Sequence, residues 1–359
     1  MREIHQVSLA LLTTLQVGGT ARRVLDAENE REIIDSLAEM DSTHEPVFIL
    51  GGGSNVIAPD AGWPGTILRP AIRNVSAQCE EQQVILEVGA GENWDDIVAQ
   101  CVDNGWAGLS CLSGIPGWAG AAPVQNIGAY GCEVRDVLVD VHAVDRRTRT
   151  TTRMSVEECS LGYRNSCFRG NDRFVLTSIT LRLRREQGEI IRYAELARAL
   201  GVAEGTIVPS GKTREAVLAL RHSKGMVVSE SDAESHSAGS YFVNPVVDAS
   251  TLEHVERFAI AKGVVESCSL VPRFQVAEGR YKIPAAWLIE KAGFRKGMTL
   301  GGAGISRKHA LAIVNRGGTA TDVLTLEETI RRGVLDQFGV ELRREPILMQ
   351  DALLENHRP

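Results

Sequence analysis

The chain has 359 residues, 43% of them hydrophobic and 24% charged, with a formal net charge of −7. That length holds about two to three domains with cores of their own. The acidic balance argues against nucleic acid as the main partner, because such binding rests on a basic footprint. Seven cysteines at 79, 101, 111, 132, 159, 167 and 268 form no C-x-x-C pair. They read as reduced thiols of a cytoplasmic protein and offer neither a disulfide frame nor a structural zinc site, so no metal is expected. No signal peptide is read at the N-terminus, and no apolar run approaches the roughly 20 residues needed to span a bilayer.

In chain order, Ile33, Ile34, Leu37 and Met40 recur at helical spacing and predict a helix over 28–40. Val47 to Leu50 reads as a short buried strand that runs into Gly51, Gly52, Gly53, Ser54 and Asn55. Val84 to Val88 reads as a second strand, ending in Gly89, Ala90 and Gly91. A helix is expected from Trp94, with Ile97, Val98, Cys101 and Val102 on one face, Asn93 as its N-cap and Gly105 as its stop. Further strands are predicted at 137–144 and 174–184, the latter by alternation of Ile179, Leu181 and Leu183 with polar neighbours. Gln187 and Gly188 suggest a turn. A helix capped by Thr213 is expected to run to Arg221. Residues 224–239 lack periodicity and read as a mobile loop or domain joint. A helix ends at Ala292 before Gly293, a buried strand spans 310–314, and an amphipathic helix covers 322–338 up to Gly339. Mixed elements without a regular βαβ repeat predict an α+β protein and disfavour a doubly wound sheet.

The most informative stretch is Leu112 to Gly131, with glycines at 114, 117, 120, 128 and 131 around two prolines, Gln125 and Asn126. Such a run suits neither helix nor strand. It suits a backbone that approaches a flat or phosphorylated group with bare N–H donors, although a glycine-rich surface loop has the same composition. Gly51 to Asn55 follows a strand, where a phosphate-cradling turn belongs. It lacks the lysine of a P-loop and the third glycine of a dinucleotide fingerprint, and a plain turn fits it equally. Arg164 stands among aromatic and small polar residues. It is either a surface charge or the bidentate holder of a carboxylate. Ser240 lies in Ala238-Gly239-Ser240-Tyr241-Phe242 without a hydrolase elbow around it. Glu345 precedes Pro346, which places it on extended backbone; next to Arg343 and Arg344 it also reads as a surface charge. Arg221 and Lys224 share a helix face and could grip a phosphate, or form a solvated basic helix end.

Taken in order, these islands resemble the UDP-N-acetylenolpyruvoylglucosamine reductase (MurB) family over nearly the whole chain. The resemblance implies two FAD-binding subdomains of the vanillyl-alcohol-oxidase/p-cresol-methylhydroxylase type and a third α+β subdomain for substrate. The expected limits are 1–70, completed by about 325–359; 71–220; and 221–324. The helix at 322–338 and Glu345 are thereby expected to return toward the N-terminal part. The resemblance further implies non-covalent FAD, NADPH as hydride donor, and reduction of an enolpyruvyl sugar nucleotide in a monomeric, cytoplasmic bacterial enzyme.

By position, Arg164, Ser240 and Glu345 match the catalytic trio. Gly51, Gly52, Gly53, Ser54, Asn55, Ala90, Gly91, Ser113, Gly114, Ile115, Pro116, Gly117, Ala119, Gln125, Asn126, Gly128 and Ala129 match the cofactor site. Tyr130, Tyr193, Arg221, Lys224, Asn244 and His309 match the substrate or NADPH site. Two departures stand out. Pro346 replaces a β-branched residue, so the strand there is expected to bend or lie on an edge. Arg169 replaces a lysine, an exchange expected to be tolerated. An FAD-linked oxidase of the same superfamily shares the glycine islands but has no need of Ser240 with Glu345. A non-catalytic flavin-storage protein has no need of the trio.

Overall fold

The computed structural model describes residues 1–185 and 188–352, so Gln187 of the expected turn lies outside the described residues. A four-stranded sheet opens the chain. Arg2–Ser8 pairs antiparallel with Thr20–Ala27, which runs parallel to Trp63–Pro70, which in turn runs parallel to Val47–Ile49. The helix Glu30–Thr43 crosses over between strands, capped by the Asn29 side chain, and buries Ile33, Leu37 and Met40 against Leu25, Val47 and Leu68. Three of these strands, Arg2–Ser8, Thr20–Ala27 and Trp63–Pro70, escape the sequence patterning.

A second, antiparallel sheet runs Thr150–Ser155, Leu138–Asp145, Phe174–Arg185, Gln83–Gly89, Val75–Cys79, with Trp106–Ala107 on the far end of Phe174–Arg185. The helix Trp94–Asp103 packs beneath it through Trp94, Ile97, Val98 and Cys101, and Asn93 caps it as expected. The helix Ser210–Ser223 starts three residues earlier than the sequence suggested. Thr213 is not its cap: it lies fully buried in the first turn and donates its hydroxyl to the Pro209 carbonyl at 3.2 Å.

The third core combines the helices Ala249–Ala261, Ala285–Lys291 and Ala320–Phe338 with two small three-stranded sheets. Of the expected strand at 310–314, the ladder contains Ile313–Asn315; Ala310 to Ala312 form a buried turn before it. The helix Ala320–Phe338 lies outside the first sheet but shares a core with Leu15, Val17 and Ile57 of the N-terminal part. Its stripe of Val323, Leu326, Ile330, Val334 and Phe338 packs into this third core, and Asp60 reaches across to its first turn, accepting from the Ala320 and Thr321 N–H groups. The tail returns as well. Ile347–Leu348 pairs parallel with Val56–Ile57, and Met349 is buried beside Leu9, Phe48 and Trp63.

Residues 224–239 are irregular and link the helix Ser210–Ser223 of the second core to the third core, which favours the domain joint over the mobile loop. Glu234 accepts from Arg307 N and Arg316, Asp232 pairs with Lys308, and Ser235 bonds back to Ser229. These contacts tie the segment to the third core.

Candidate active site

A cavity of about 610 Å³ lies where the three cores meet, within the range of small-molecule and cofactor sites. Its walls include Gly51 to Asn55, Ile115 to Gly117, Gln125, Gly128, Arg164, Arg169, Arg221, Ser240 and Glu345.

The glycines first serve the chain itself. A Cβ on Gly52 would sit 2.7 Å from Gly117 Cα, and one on Gly53 would sit 1.8 Å from the Leu12 carbonyl oxygen. Gly53 also has φ +65°, so only glycine fits this turn. Ser54 closes the joint by donating to the Pro116 carbonyl at 2.9 Å. The two islands thus pack edge to edge and leave their donors facing the cavity. None of the N–H groups of Gly51 to Asn55 has a hydrogen-bond partner among the described residues. A row of such donors suits a diphosphate.

The other expected cofactor contacts divide in two. Ala90, Ile115, Pro116, Gly117, Gln125 and Gly128 line the cavity; Gly91, Ser113, Gly114, Ala119, Asn126 and Ala129 stand behind it. Gly114 N is held by Asp95 at 2.6 Å, and Asp95 forms a bidentate pair with Arg214. Ser113 is buried and donates to Ser110 O, Ala119 N donates to Glu92 O, and Gly91 N donates to Ile72 O. Ala129 pairs with Cys132 in a short hairpin. Asn126 is fully buried with φ +47°, and its amide is consumed by Glu133, Gly162 O and Arg135 N. It shapes the loop and makes none of these contacts with the cavity.

The trio converges on one side of the cavity. Phe242–Val243 pairs with Arg343–Arg344, and Glu345 N donates to Tyr241 O at 2.9 Å, which sets Ser240 and Glu345 on adjoining chain segments. After Pro346 the chain leaves this ladder for the Val56–Ile57 partner, the bend that a proline without N–H imposes. Arg164 Nε contacts Glu345 Oε1 at 3.1 Å, and Arg164 Nη2 donates to Gly128 O at 2.7 Å. Arg164 adopts φ +51°, an uncommon conformation for a residue with a side chain. Its Nη1 makes no hydrogen bond with the described residues. Gln125 donates to Glu345 Oε1 and accepts from Asn55. Burial pushes the Glu345 carboxyl up, while Arg164 and Arg169 pull it back down. The Ser240 hydroxyl has no hydrogen-bond partner among the described residues.

Sequence patterning misses the bracket behind the trio. The buried Glu327 carboxylate accepts from Tyr241 Oη at 2.8 Å and pairs with Arg344 Nε at 2.8 Å. Tyr241 follows Ser240 and Arg344 precedes Glu345, so one acid holds both neighbours. Only contacts across 86 and 17 residues reveal it.

The expected substrate residues also separate. Arg221 is partly buried, donates to Met226 O at 2.8 Å, and has a buried Nε without a partner among the described residues beside the cavity. Lys224 turns to Glu195 at 2.6 Å and lies over the Tyr130 ring, which stacks edge-on with Tyr193. The two cations therefore do not form one grip. His309 belongs to the Lys224 group: burial, Lys224 and Lys296 hold its imidazole down at about 4. Asn244 accepts from Ala285 N and so starts the helix Ala285–Lys291.

An α+β fold with a donor-lined cavity, and with an FAD binding domain family model matching residues 21–154, defines a flavin-dependent oxidoreductase. A second model, the C-terminal domain of UDP-N-acetylenolpyruvoylglucosamine reductase, matches residues 231–349. The chain is 42% identical over 349 residues to the reductase of that name from Thermobifida fusca, covering 96% of this chain and 97% of the relative. It is 44% identical to that from Salinispora arenicola, covering 96% and 95%, and 43% identical to that from Mycolicibacterium smegmatis, covering 96% and 94%. A solved structure of UDP-N-acetylenolpyruvylglucosamine reductase from Thermus caldophilus shares the fold, with a TM-score of 0.63, 24% identity and coverage of 97% of this chain and 99% of that one. The chain belongs to the UDP-N-acetylenolpyruvoylglucosamine reductase family. Among the described residues no helix is long and apolar enough to cross a membrane.

Proposed function

We propose that the chain reduces UDP-N-acetylenolpyruvoylglucosamine to UDP-N-acetylmuramate with NADPH, a step of peptidoglycan synthesis, and that Arg164, Ser240 and Glu345 carry the chemistry. The observation that carries the residue assignment is their convergence on one cavity, with a partly buried Arg164–Glu345 pair and a serine hydroxyl that bonds to none of the described residues. FAD, when bound, supplies a hydride carrier between NADPH and the enolpyruvyl C3. The row of N–H donors at Gly51 to Asn55 and the orphaned Arg221 Nε suit its diphosphate.

Arg164 is oriented through Nε and Nη2, which leaves Nη1 to hold the substrate carboxylate and stabilise charge developing at C2. Glu345 fixes the guanidinium plane from inside the wall. Ser240 donates its proton to C2, whose basicity as an α-carboxylate carbanion permits a hydroxyl donor. Tyr130, Tyr193, Lys224 and His309 form a second group beyond Gly128, which we assign to the nucleotide portion of substrate or NADPH. In this reading the first two subdomains, near 1–70 and 71–220, hold the cofactor, and the third core, including the helix Ala320–Phe338, covers the substrate. The enzyme acts as a monomer in the cytoplasm.

Turnover in deuterium oxide with unlabelled NADPH tests the assignment. The product should carry deuterium at C2; label at C3 is not diagnostic, because the hydrogen delivered there passes through a solvent-exchangeable flavin N–H. Product without label at C2, or formation of the C2-labelled product at an undiminished rate in Ser240→Ala, would contradict the proton-donor role of Ser240.

A further inference from the structure

Arg164 and Glu345 come from distant parts of the chain, and one side chain touches the backbone of both. Arg169 Nη1 donates to Arg164 O at 2.6 Å. Arg169 Nη2 donates to Glu345 O at 2.9 Å and approaches Arg344 O at 3.5 Å. We propose that Arg169 is a positioning residue for the reaction: its planar guanidinium staples the Arg164 turn to the Glu345 segment and sets a second positive charge beside the Glu345 carboxyl. This role rests on the catalytic assignment of Arg164 and Glu345.

Three features support it. Arg164 sits at φ +51°, a conformation that persists only where surroundings enforce it, and a bond to its own carbonyl is such a restraint. Glu345 stands at the point where the chain changes ladder partners, so its carbonyl needs a donor from outside the sheet. Arg169 provides that donor, with Asn55 Nδ2 at a longer 3.4 Å. A guanidinium fork spans two carbonyls at once, whereas an ammonium acts as a point donor.

Charged and titratable groups face Glu345 from several elements. From the Gly162–Arg169 turn come Arg164, Arg169 and the Tyr163 phenol. On its own segment Arg344 is turned away and neutralised by Glu327, which also takes the Tyr241 hydroxyl. Asn55 and Gln125 contribute neutral amides, and Ser240 a hydroxyl. Burial favours the protonated acid, and only Arg164 and Arg169 oppose it among the causes of its shift. Removing one of two counter-charges moves the acid toward protonation at higher pH.

The test follows the rate of the substrate half-reaction against pH, in rapid mixing with pre-reduced holoenzyme, for wild type, Glu345→Gln, Arg169→Gln and Arg169→Lys. Flavin content and thermal midpoint are recorded for each. The wild-type acid limb should vanish in Glu345→Gln. In Arg169→Gln it should move up by about one pH unit, with the plateau rate reduced at least about tenfold by the loosened geometry. Arg169→Lys should return the limb to its wild-type position and recover part of the rate. A limb that Glu345→Gln abolishes but Arg169→Gln leaves in place overturns the role of Arg169 alone. A limb that persists in Glu345→Gln contradicts the reading of Glu345 and the proposal with it. Should Arg169→Gln not fold, Arg169→Lys against wild type decides: an unmoved limb with a slower plateau supports the staple, and an unchanged plateau overturns it.

Discussion

Replacing Ser240 with alanine removes one oxygen atom from the cavity wall. That oxygen makes no hydrogen bond with the described residues, and its residue is only partly buried, so folding loses almost nothing. The expected change in unfolding free energy is within about 0.5 kcal/mol. The chemistry loses much more. A positioned proton donor contributes about 10²–10⁴-fold, which corresponds to roughly 3–5.5 kcal/mol of barrier. The loss should fall on one half of the reaction. Anaerobic rapid mixing separates the halves: bleaching of the visible absorbance by NADPH should keep nearly its wild-type rate, while recovery on adding the enolpyruvyl substrate should slow by two to four orders of magnitude (about 10²–10⁴). Equal slowing in both halves, or a fall in thermal midpoint with loss of flavin, would refute the reasoning, because either would make Ser240 a structural residue.

Gly53→Ala places a methyl group 1.8 Å from the Leu12 carbonyl oxygen at φ +65°; purified protein should lose bound flavin and melt earlier, as absorbance ratio and calorimetry would show. Glu327→Gln leaves Tyr241 and Arg344 without their shared carboxylate, at a cost of about 1.5–3 kcal/mol for charge-assisted bonds. The substrate half-reaction should slow with little change in flavin content; an unaltered urea midpoint and rate would show that the bracket holds nothing in place. His309 titrates near 4 in the folded protein against 6.5 ordinarily. Because the folded value is depressed, its contribution is present above about pH 6.5 and is lost as pH falls toward 4. Urea unfolding at stepped pH should show wild type losing stability over that window and His309→Gln losing less; identical profiles would show that the imidazole is not held neutral.

The elements that repeat at a clear period were legible. Asn93, the Ile97–Val98–Cys101 face and Gly105 define a helix on their own, as do Val323 to Phe338 before Gly339. The packing partner of that last helix was not legible, because a stripe of apolar residues names a face and not the surface that covers it. Thr213 has the chemistry of a cap, yet Pro209 and Ser210 start the helix and Thr213 is drawn into the core. The glycine islands announced close approach, but Gly52 against Gly117 shows that much of the approach is chain to chain. Glu345, after two arginines, looked solvated. Its burial depends on Arg344 turning to Glu327 and Arg164 arriving from another core, contacts that no local pattern contains. The basic pair Arg221 and Lys224 split for the same reason: Glu195 claims the lysine, and the Met226 carbonyl claims the arginine.

The most direct test of the proposed reaction is the anaerobic visible spectrum of the purified protein, titrated first with NADPH and then with UDP-N-acetylenolpyruvoylglucosamine. A reductase of this kind should show a flavin band that NADPH bleaches and the sugar nucleotide restores, mole for mole, with oxygen excluded. A band that NADPH bleaches but only oxygen restores would contradict the proposed reaction and point to an oxidase.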